Sequence, residues 1–167
     1  MTHRIIAALP QKATGFPVFA YDTETQGLDA TQVLIICWEN VNTGEQYTAF
    51  SVLEFREFLE ERAPCIAYAH NGSSFDVLGI LSERELYEAE KVAAGTKVFE
   101  YKVNGVMYRD SKHLIPLPLS KVAKSVDMEK GITPQEYIKG AVTELTKEQI
   151  DSCCGAVRLL SDAPRKL

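Results

Sequence analysis

The sequence predicts a single domain of the α/β or α+β class, spanning residues 1–167. Apolar runs of strand length dominate the first fifty residues, strands and helices alternate up to about residue 110, and helical spacing follows. Strands and helices bury their apolar faces against one another in layers, so this order predicts a sheet covered by helices. With 167 residues, of which 46% are hydrophobic, the chain is long enough for one such core.

The first half of the chain is predicted to form three strands and a helix. Apolar runs at residues 16–21 and 32–38 flank turn residues and predict a hairpin. A third strand, residues 45–50, follows the reversal around Gly44. Ser51 is expected to cap the next helix, which Pro64 ends.

A strand at residues 65–69 and a helix at residues 75–86 are predicted to follow. Asn104-Gly105 is the strongest short hairpin signal in the chain and predicts two further strands around it. Three helices complete the prediction: residues 121–126 opened by Ser120, a segment opened by Thr133-Pro134, and residues 147–162 opened by a capping box from Thr146 to Gln149.

Composition narrows the setting of the protein. No apolar run approaches the roughly 18 residues of a membrane span, so we predict a soluble cytoplasmic protein without a membrane partner. The net charge of −5 argues against broad electrostatic coating of nucleic acid. It does not exclude a nuclease, because carboxylates that hold metals make a site acidic and the bound ions then face the phosphate. The four cysteines are expected to be reduced thiols: Cys37, Cys65, Cys153 and Cys154.

Two acidic stretches are the candidates for chemistry. Asp22 and Glu24 end the first strand, and residues two apart in a strand share a face. Hard divalent cations prefer oxygen ligands, although acidic pairs at strand ends are also common and merely solvated. Asp76 lies in the first turn of the helix that follows a polar loop, where an acid also favours the helix macrodipole.

The segments around these acids resemble the DEDD 3′→5′ exonucleases, and in particular the proofreading domain of family B DNA polymerases, nearest the protein-primed branch. Its first motif is similar to Asp22-Thr23-Glu24-Thr25, and its second to residues 71–76. Residues 109–116 and 120–124 resemble the strand, loop and helix that line the single-strand cleft in protein-primed polymerases. The resemblance covers residues 18–163.

The resemblance implies a ribonuclease H-like α/β fold with a mixed, mainly antiparallel sheet flanked by helices. It implies two Mg²⁺ or Mn²⁺ ions on Asp22, Glu24 and Asp76, which we expect to converge within a few ångströms. The implied substrate is the 3′ end of single-stranded DNA, with RNA as an alternative, and a DNA polymerase or another replication protein is an implied partner. A phage, plasmid or virus is the implied source. The implied substrate contacts are Thr25, Asn71, Phe75 and Ser111.

The third motif of the family, Tyr-x-x-x-Asp on the last helix, is degenerate. The best match puts Ser152 in the place of the tyrosine and Ala156 in the place of the fourth aspartate. Asp151 and Asp162 are five and six residues from Ala156, so on a helix they point more than about 100° away from it. A second match, residues 137–141, keeps a tyrosine but also ends on alanine.

Three explanations of this alanine stay open. It is a laboratory substitution of an aspartate, or the natural protein binds nucleic acid or a protein partner without cutting, or three carboxylates still hold one metal ion and support slow hydrolysis. The sequence therefore predicts a metal-dependent 3′→5′ exonuclease whose rate is impaired, because each member of a coupled site is worth orders of magnitude. The alternative is an inactive exonuclease-fold module that binds nucleic acid or a replication protein.

Overall fold

A computed structural model describes residues 15–26, 31–125 and 147–166. The strands are β1 (Val18–Thr25), β2 (Val33–Asn40), β3 (Gln46–Ala49), β4 (Cys65–Ala69), β5 (Glu90–Ala94), β6 (Lys97–Val103) and β7 (Val106–Asp110). The α-helices are α1 (Val52–Glu60), α2 (Asp76–Ile80), α3 (Glu83–Glu88), α4 (Leu119–Ser125) and α5 (Lys147–Lys166). Two short 3₁₀ turns cover Gly72–Ser74 and Ser111–His113. No helix among the described residues is long and apolar enough to cross a membrane.

The seven strands form one sheet in the order β3-β2-β1-β4-β7-β6-β5. The β1–β4 and β4–β7 pairs are parallel, and the other pairs are antiparallel. β1 pairs with β2 from Phe19 to Thr25, but its recorded pairing with β4 stops at Ala20. β4 itself ends at Ala69, so the last residues of β1 extend past the end of its parallel neighbour, and in open α/β sheets the space beyond the carboxyl ends of the strands is where ligands bind.

Two apolar cores lie on opposite faces of this sheet. Phe19 and Tyr21 of β1 pack in the core on the side of α1 and α2, whereas Ala20 packs in the core on the side of α4 and α5. Side chains alternate along a strand, so this arrangement also fixes the faces of the residues that follow in β1. Asp22 and Glu24 take the face of α5, and Thr23 takes the other.

The single helix predicted over residues 75–86 is wrong. α2 ends at Ile80, Leu81 is extended, and α3 begins after Ser82. The Ser82 hydroxyl accepts a hydrogen bond from the Glu85 backbone N–H, and the Glu85 carboxylate accepts one from the Ser82 backbone N–H. This capping box starts a new helix by satisfying backbone donors that a continuous helix would use elsewhere.

Several smaller expectations were also corrected. Ser51 is the N-cap of α1, but its side chain makes no capping hydrogen bond. Ser120 lies inside α4, which already begins at Leu119. β5 was not predicted, because its residues are exposed throughout and carry no apolar alternation.

The predicted hairpin at Asn104-Gly105 joins β6 and β7, with φ of 50° and 80° at its two residues. Such left-handed conformations favour asparagine and glycine in a two-residue turn, and they explain why this signal was reliable. The predicted helix at Thr133-Pro134, the alternative motif at residues 137–141, Thr146 and all of the turn predicted at residues 26–29 except Gln26 lie outside the described residues.

Two glycines should respond in opposite ways to alanine. A Cβ at Gly155, within α5, would meet nothing within 4 Å, so Gly155→Ala should raise the free energy of unfolding by about 0.5–1 kcal/mol through helix propensity. A Cβ at Gly72 would lie 2.8 Å from the Cβ of Ala69, so Gly72→Ala should lower it by about 1–3 kcal/mol. Urea denaturation followed by circular dichroism measures both. Equal stabilisation by the two variants would contradict the close packing at Gly72.

Candidate functional site

A cleft with a volume of about 190 Å³ opens beyond the end of β4, beside the carboxyl-terminal part of β1. It joins residues of β1, the segment after β4, α2, α4 and α5, which are far apart in the sequence. Its lining residues are Asp22, Thr23, Glu24, His70, Asn71, Phe75, Asp76, Leu119, Ser152 and Ala156. Seven of the nine residues singled out in the sequence thus face one cleft, and the other two, Thr25 and Ser111, are not part of its lining.

Asp22 and Glu24 stand on the face of β1 that α5 covers, and both are half-buried. Among the described residues, they form with Cys153 of α5 the one group of three potential metal ligands whose donor atoms lie within 4.8 Å of one another. The Cys153 thiol also donates to the backbone carbonyl of Asp22, with an Sγ···O distance of 3.5 Å. From the sequence, Cys153 was expected only to be a reduced thiol. Its position beside these carboxylates depends on the packing of α5 on β1, which no local pattern indicates.

Asp76 lines the same cleft but belongs to the opposite face of β1. Its Oδ1 accepts hydrogen bonds from the Thr23 backbone N–H at 3.1 Å and from the Thr23 hydroxyl at 2.7 Å. The Asp76 carboxylate thereby accepts from a backbone N–H of β1 that lies past the last recorded pair between β1 and β4. Burial raises the pKa of the Asp76 carboxyl to about 6, even though the hydrogen bonds from Thr23 lower it.

Ser152 and Ala156 lie one turn apart on α5 and both face the cleft. The degenerate third motif thus lies on α5, and its two matched positions line the same cleft as residues of the other two motifs. Ala156 is only 5% exposed, and its methyl group cannot ligate a cation or accept a hydrogen bond. Asp151 and Asp162 do not line the cleft, in agreement with the helical geometry that excluded them as substitutes.

Asp110 organises the rim of the cleft and was not recognised as a functional residue in the sequence. It is 4% exposed, and its carboxylate accepts from the backbone N–H groups of Asn71 at 2.9 Å, Ser73 at 3.2 Å and Lys112 at 2.8 Å, as well as from the Ser73 hydroxyl at 2.6 Å. Asp110 ends β7 in register with Ala69, which ends β4. The sequence feature that could have identified Asp110 as a candidate is its position, because it is an acid at the end of a strand parallel to β4.

The remaining rim residues are held by polar contacts. Asn71 has φ of 71°, and its side-chain oxygen accepts from Lys112 Nζ at 2.9 Å. His70 contacts the Ser111 hydroxyl at 3.2 Å and the Leu117 carbonyl at 2.7 Å. Phe75 is half-buried beside Asp76 and presents its side chain to the cleft.

The sequence matches no protein-family model, and none of the curated proteins matches it. The structure is similar to that of Phi29 DNA polymerase complexed with single-stranded DNA, with a TM-score of 0.70 and 15% identity over 90% of this chain and 31% of the polymerase. It is also similar to the binary complex of that polymerase with primer-template DNA, with a TM-score of 0.70 and 16% identity over 90% and 31% of the two chains. For the ternary complex with primer-template DNA and incoming nucleotide substrates, the TM-score is 0.71 at 16% identity over 90% and 30%.

These similarities confirm the predicted fold class, an α/β domain whose mixed sheet is flanked by helices, consistent with a ribonuclease H-like fold. The fold is similar to that of a segment of Phi29 DNA polymerase. This chain spans somewhat less than a third of the length of those polymerases. At 15–16% identity the similarity concerns the fold alone.

Removal of the Asp110 carboxylate should destabilise the fold strongly. Asp110→Ala leaves the N–H groups of half-buried Asn71 and Ser73 and of exposed Lys112 without this acceptor. Each donor that is shielded from water and left unsatisfied costs about 1–3 kcal/mol, so we expect the free energy of unfolding to fall by at least about 2 kcal/mol. Asp151→Ala, at an exposed position of α5, is the control and should change it by less than about 0.5 kcal/mol. Urea denaturation distinguishes the two, and similar small losses would contradict the role given to Asp110.

Proposed function

We propose that this chain is a metal-dependent 3′→5′ exonuclease-type domain that takes the 3′ end of single-stranded DNA into the cleft between β1 and β4, and that its rate is impaired because Ala156 supplies no carboxylate. The observation that carries the proposal is the cleft itself. It brings Asp22 and Glu24 together with Asp76 and with the two α5 positions matched to the third exonuclease motif.

The fold supports a role on DNA. The similar structures are a DNA polymerase complexed with single-stranded DNA and with primer-template DNA. The cleft lies at the carboxyl ends of neighbouring parallel strands, the position at which open α/β sheets bind ligands. The acidic net charge is compatible with this role, because a cation held by the cleft carboxylates would face the phosphate.

The carboxylates fit a divalent cation. Asp22 and Glu24 are half-buried, share a face and lie within ligand distance of one another, and Asp76 lines the same cleft. A bound ion would supply a Lewis acid that polarises the scissile phosphodiester. The chain itself orients the carboxylates through the alternation of β1 and holds Asp76 in place through Thr23. Asn71 and Phe75 stand at the rim, where they would contact the terminal nucleotides.

The side chain at position 156 explains the proposed impairment. An aspartate there would extend from α5 into the cleft that Asp22 and Glu24 line, whereas alanine leaves the ion and the attacking water with fewer anionic partners. Ser152, in the place of the tyrosine, is also too short to reach as far into the cleft. The losses are not additive, because the members of a catalytic site act as a unit.

Restoring the carboxylate tests the enzymatic proposal directly. Ala156→Asp should raise the rate of cleavage of 3′-labelled single-stranded DNA in Mn²⁺ by on the order of 100-fold or more, since single members of a coupled site have effects of that size. Ala156→Asn is the matched control, because it has the same shape without the charge and should remain slow. Circular dichroism verifies that both variants fold. If the Ala156→Asp variant binds DNA but cuts no faster than the Ala156→Asn variant, the enzymatic proposal is wrong.

The second candidate is a module of the same fold that binds nucleic acid or a replication protein without cutting. It is favoured by the two missing residues on α5 and by the engagement of Asp76 with Thr23 rather than with the acids on the other face of β1. In this case the cleft still receives a single strand, and catalysis cannot be restored by one carboxylate.

The aromatic ring of Phe75 should contribute to DNA binding under either candidate function. If a base stacks on it, Phe75→Ala should weaken binding of a short single-stranded oligonucleotide by about 5–150-fold, which corresponds to about 1–3 kcal/mol. Phe50→Ala removes a phenylalanine that is 66% exposed and outside the cleft, and it should leave the affinity unchanged. Fluorescence anisotropy measures both. Equal affinities for the two variants would show that Phe75 belongs to the packing of α2 rather than to a binding surface.

A further inference from the structure

We infer that Asp22, Glu24 and Cys153 form a mixed carboxylate and thiolate site that selects a thiophilic divalent cation such as Zn²⁺ over Mg²⁺. This inference rests on the proposed metal dependence of the cleft and specifies the class of metal. It follows from a disagreement between the ligands that the resemblance implies, which are all carboxylates, and the donors that this chain brings together.

The geometry of the three donors is suited to one ion. Their ligand atoms all lie within 4.8 Å of one another, and the two carboxylates come from β1 while the thiol comes from α5. Zinc binds sulfur at about 2.3 Å and carboxylate oxygen at about 2.0–2.2 Å, so two ligand atoms of one tetrahedral ion are separated by roughly 3.4–3.6 Å. The donor atoms would have to approach one another by up to about 1 Å to surround a single cation, a movement within the reach of side-chain rotation.

Cys153 supplies from α5 the metal ligand that Ala156 cannot supply. It lies three residues before Ala156, so both side chains are on the same side of the helix. Cys153 is fully buried, and its thiol already points at β1 through the hydrogen bond to the Asp22 carbonyl. When the thiol coordinates a cation, its proton leaves to solvent, the bond from sulfur to the metal forms, and the hydrogen bond to the Asp22 carbonyl is lost.

The chemistry of this donor set disfavours Mg²⁺. Magnesium demands near-octahedral oxygen coordination, whereas zinc accepts sulfur and is commonly four-coordinate. Three protein ligands leave one position of a tetrahedral ion open, and here Asp22 and Glu24 also line the cleft. That is the arrangement of zinc sites at which a substrate or water binds.

A second pair of thiols lies nearby, and metal binding to it has to be distinguished experimentally from metal binding to Asp22, Glu24 and Cys153. Cys37, which is paired with Asp22 across β1 and β2, has its Sγ 2.9 Å from the Sγ of Cys154. A thiophilic cation held by these two thiols would also show sulfur ligation. Cys154 and Cys153 are adjacent on α5, so single substitutions distinguish the two sites with minimal change elsewhere.

The test uses Co²⁺ as a spectroscopic probe and Zn²⁺ for affinity, in a reductant that contains no thiol. The unaltered chain should bind one Co²⁺ with a near-ultraviolet thiolate-to-cobalt absorption band, and excess Mg²⁺ should not remove it. Cys153→Ser should abolish the band and weaken Zn²⁺ binding at least about 100-fold, beyond the roughly 10–100-fold that loss of an outer-shell partner costs. Cys153→Ala is expected to give the same result, so that a packing defect specific to the buried serine is recognised.

Two further variants complete the test. Cys154→Ser should keep both the band and the affinity, and Asp22→Asn should weaken the affinity while the band persists at saturating Co²⁺. The inference is overturned if the unaltered chain shows no band, if Mg²⁺ displaces Co²⁺ readily, or if the band is lost in Cys154→Ser and kept in Cys153→Ser. None of these readouts requires DNA, so they fail or succeed independently of the cleavage and oligonucleotide measurements that test the proposed function.

Discussion

The hydrogen bonds between Asp76 and Thr23 are the interaction on which the site depends. β1 and β4 are parallel neighbours whose recorded pairing stops at Ala20, and beyond it the N–H of Thr23 is satisfied by a carboxylate from α2. A buried carboxylate is tolerable only where hydrogen bonds offset its lost hydration, and Thr23 supplies two. The same contact therefore attaches α2 to the sheet at the cleft that both residues line.

The buried carboxylates of Asp76 and Asp110 accept hydrogen bonds from the backbone, in addition to any part that they take in chemistry. Asp110, at the end of β7, holds the turn after β4, and Asp76, at the start of α2, bonds to Thr23 of β1. These two carboxylates therefore have structural roles at the cleft and its rim. Asp22 and Glu24, on the other face of β1, lie next to the thiol of Cys153. A protein can keep an exonuclease-like framework in this way while the donors on its last helix change.

The fold could be predicted where the determining contacts are local. The hairpin at Asn104-Gly105 and the strand alternation that puts Asp22 and Glu24 on one face depend on backbone conformations of a few residues. The single helix from residue 75 to residue 86 was wrong although its correction is also local, because the capping box from Ser82 to Glu85 was outweighed by apolar spacing. β5 carried no signal, since an exposed strand at the edge of a sheet needs no apolar pattern.

The sequence by itself determined the class of fold, the shared face of the two acids in β1 and the absence of a carboxylate at position 156. Only the tertiary structure decided that Asp76 bonds to Thr23, that Asp110 holds the rim, and that the Cys153 thiol lies beside the carboxylates of Asp22 and Glu24. Periodicity specifies which way a side chain points from its own element. Which element lies opposite is decided by the packing of residues as far as 131 positions apart, as for Cys153 and Asp22, and no local pattern contains that information.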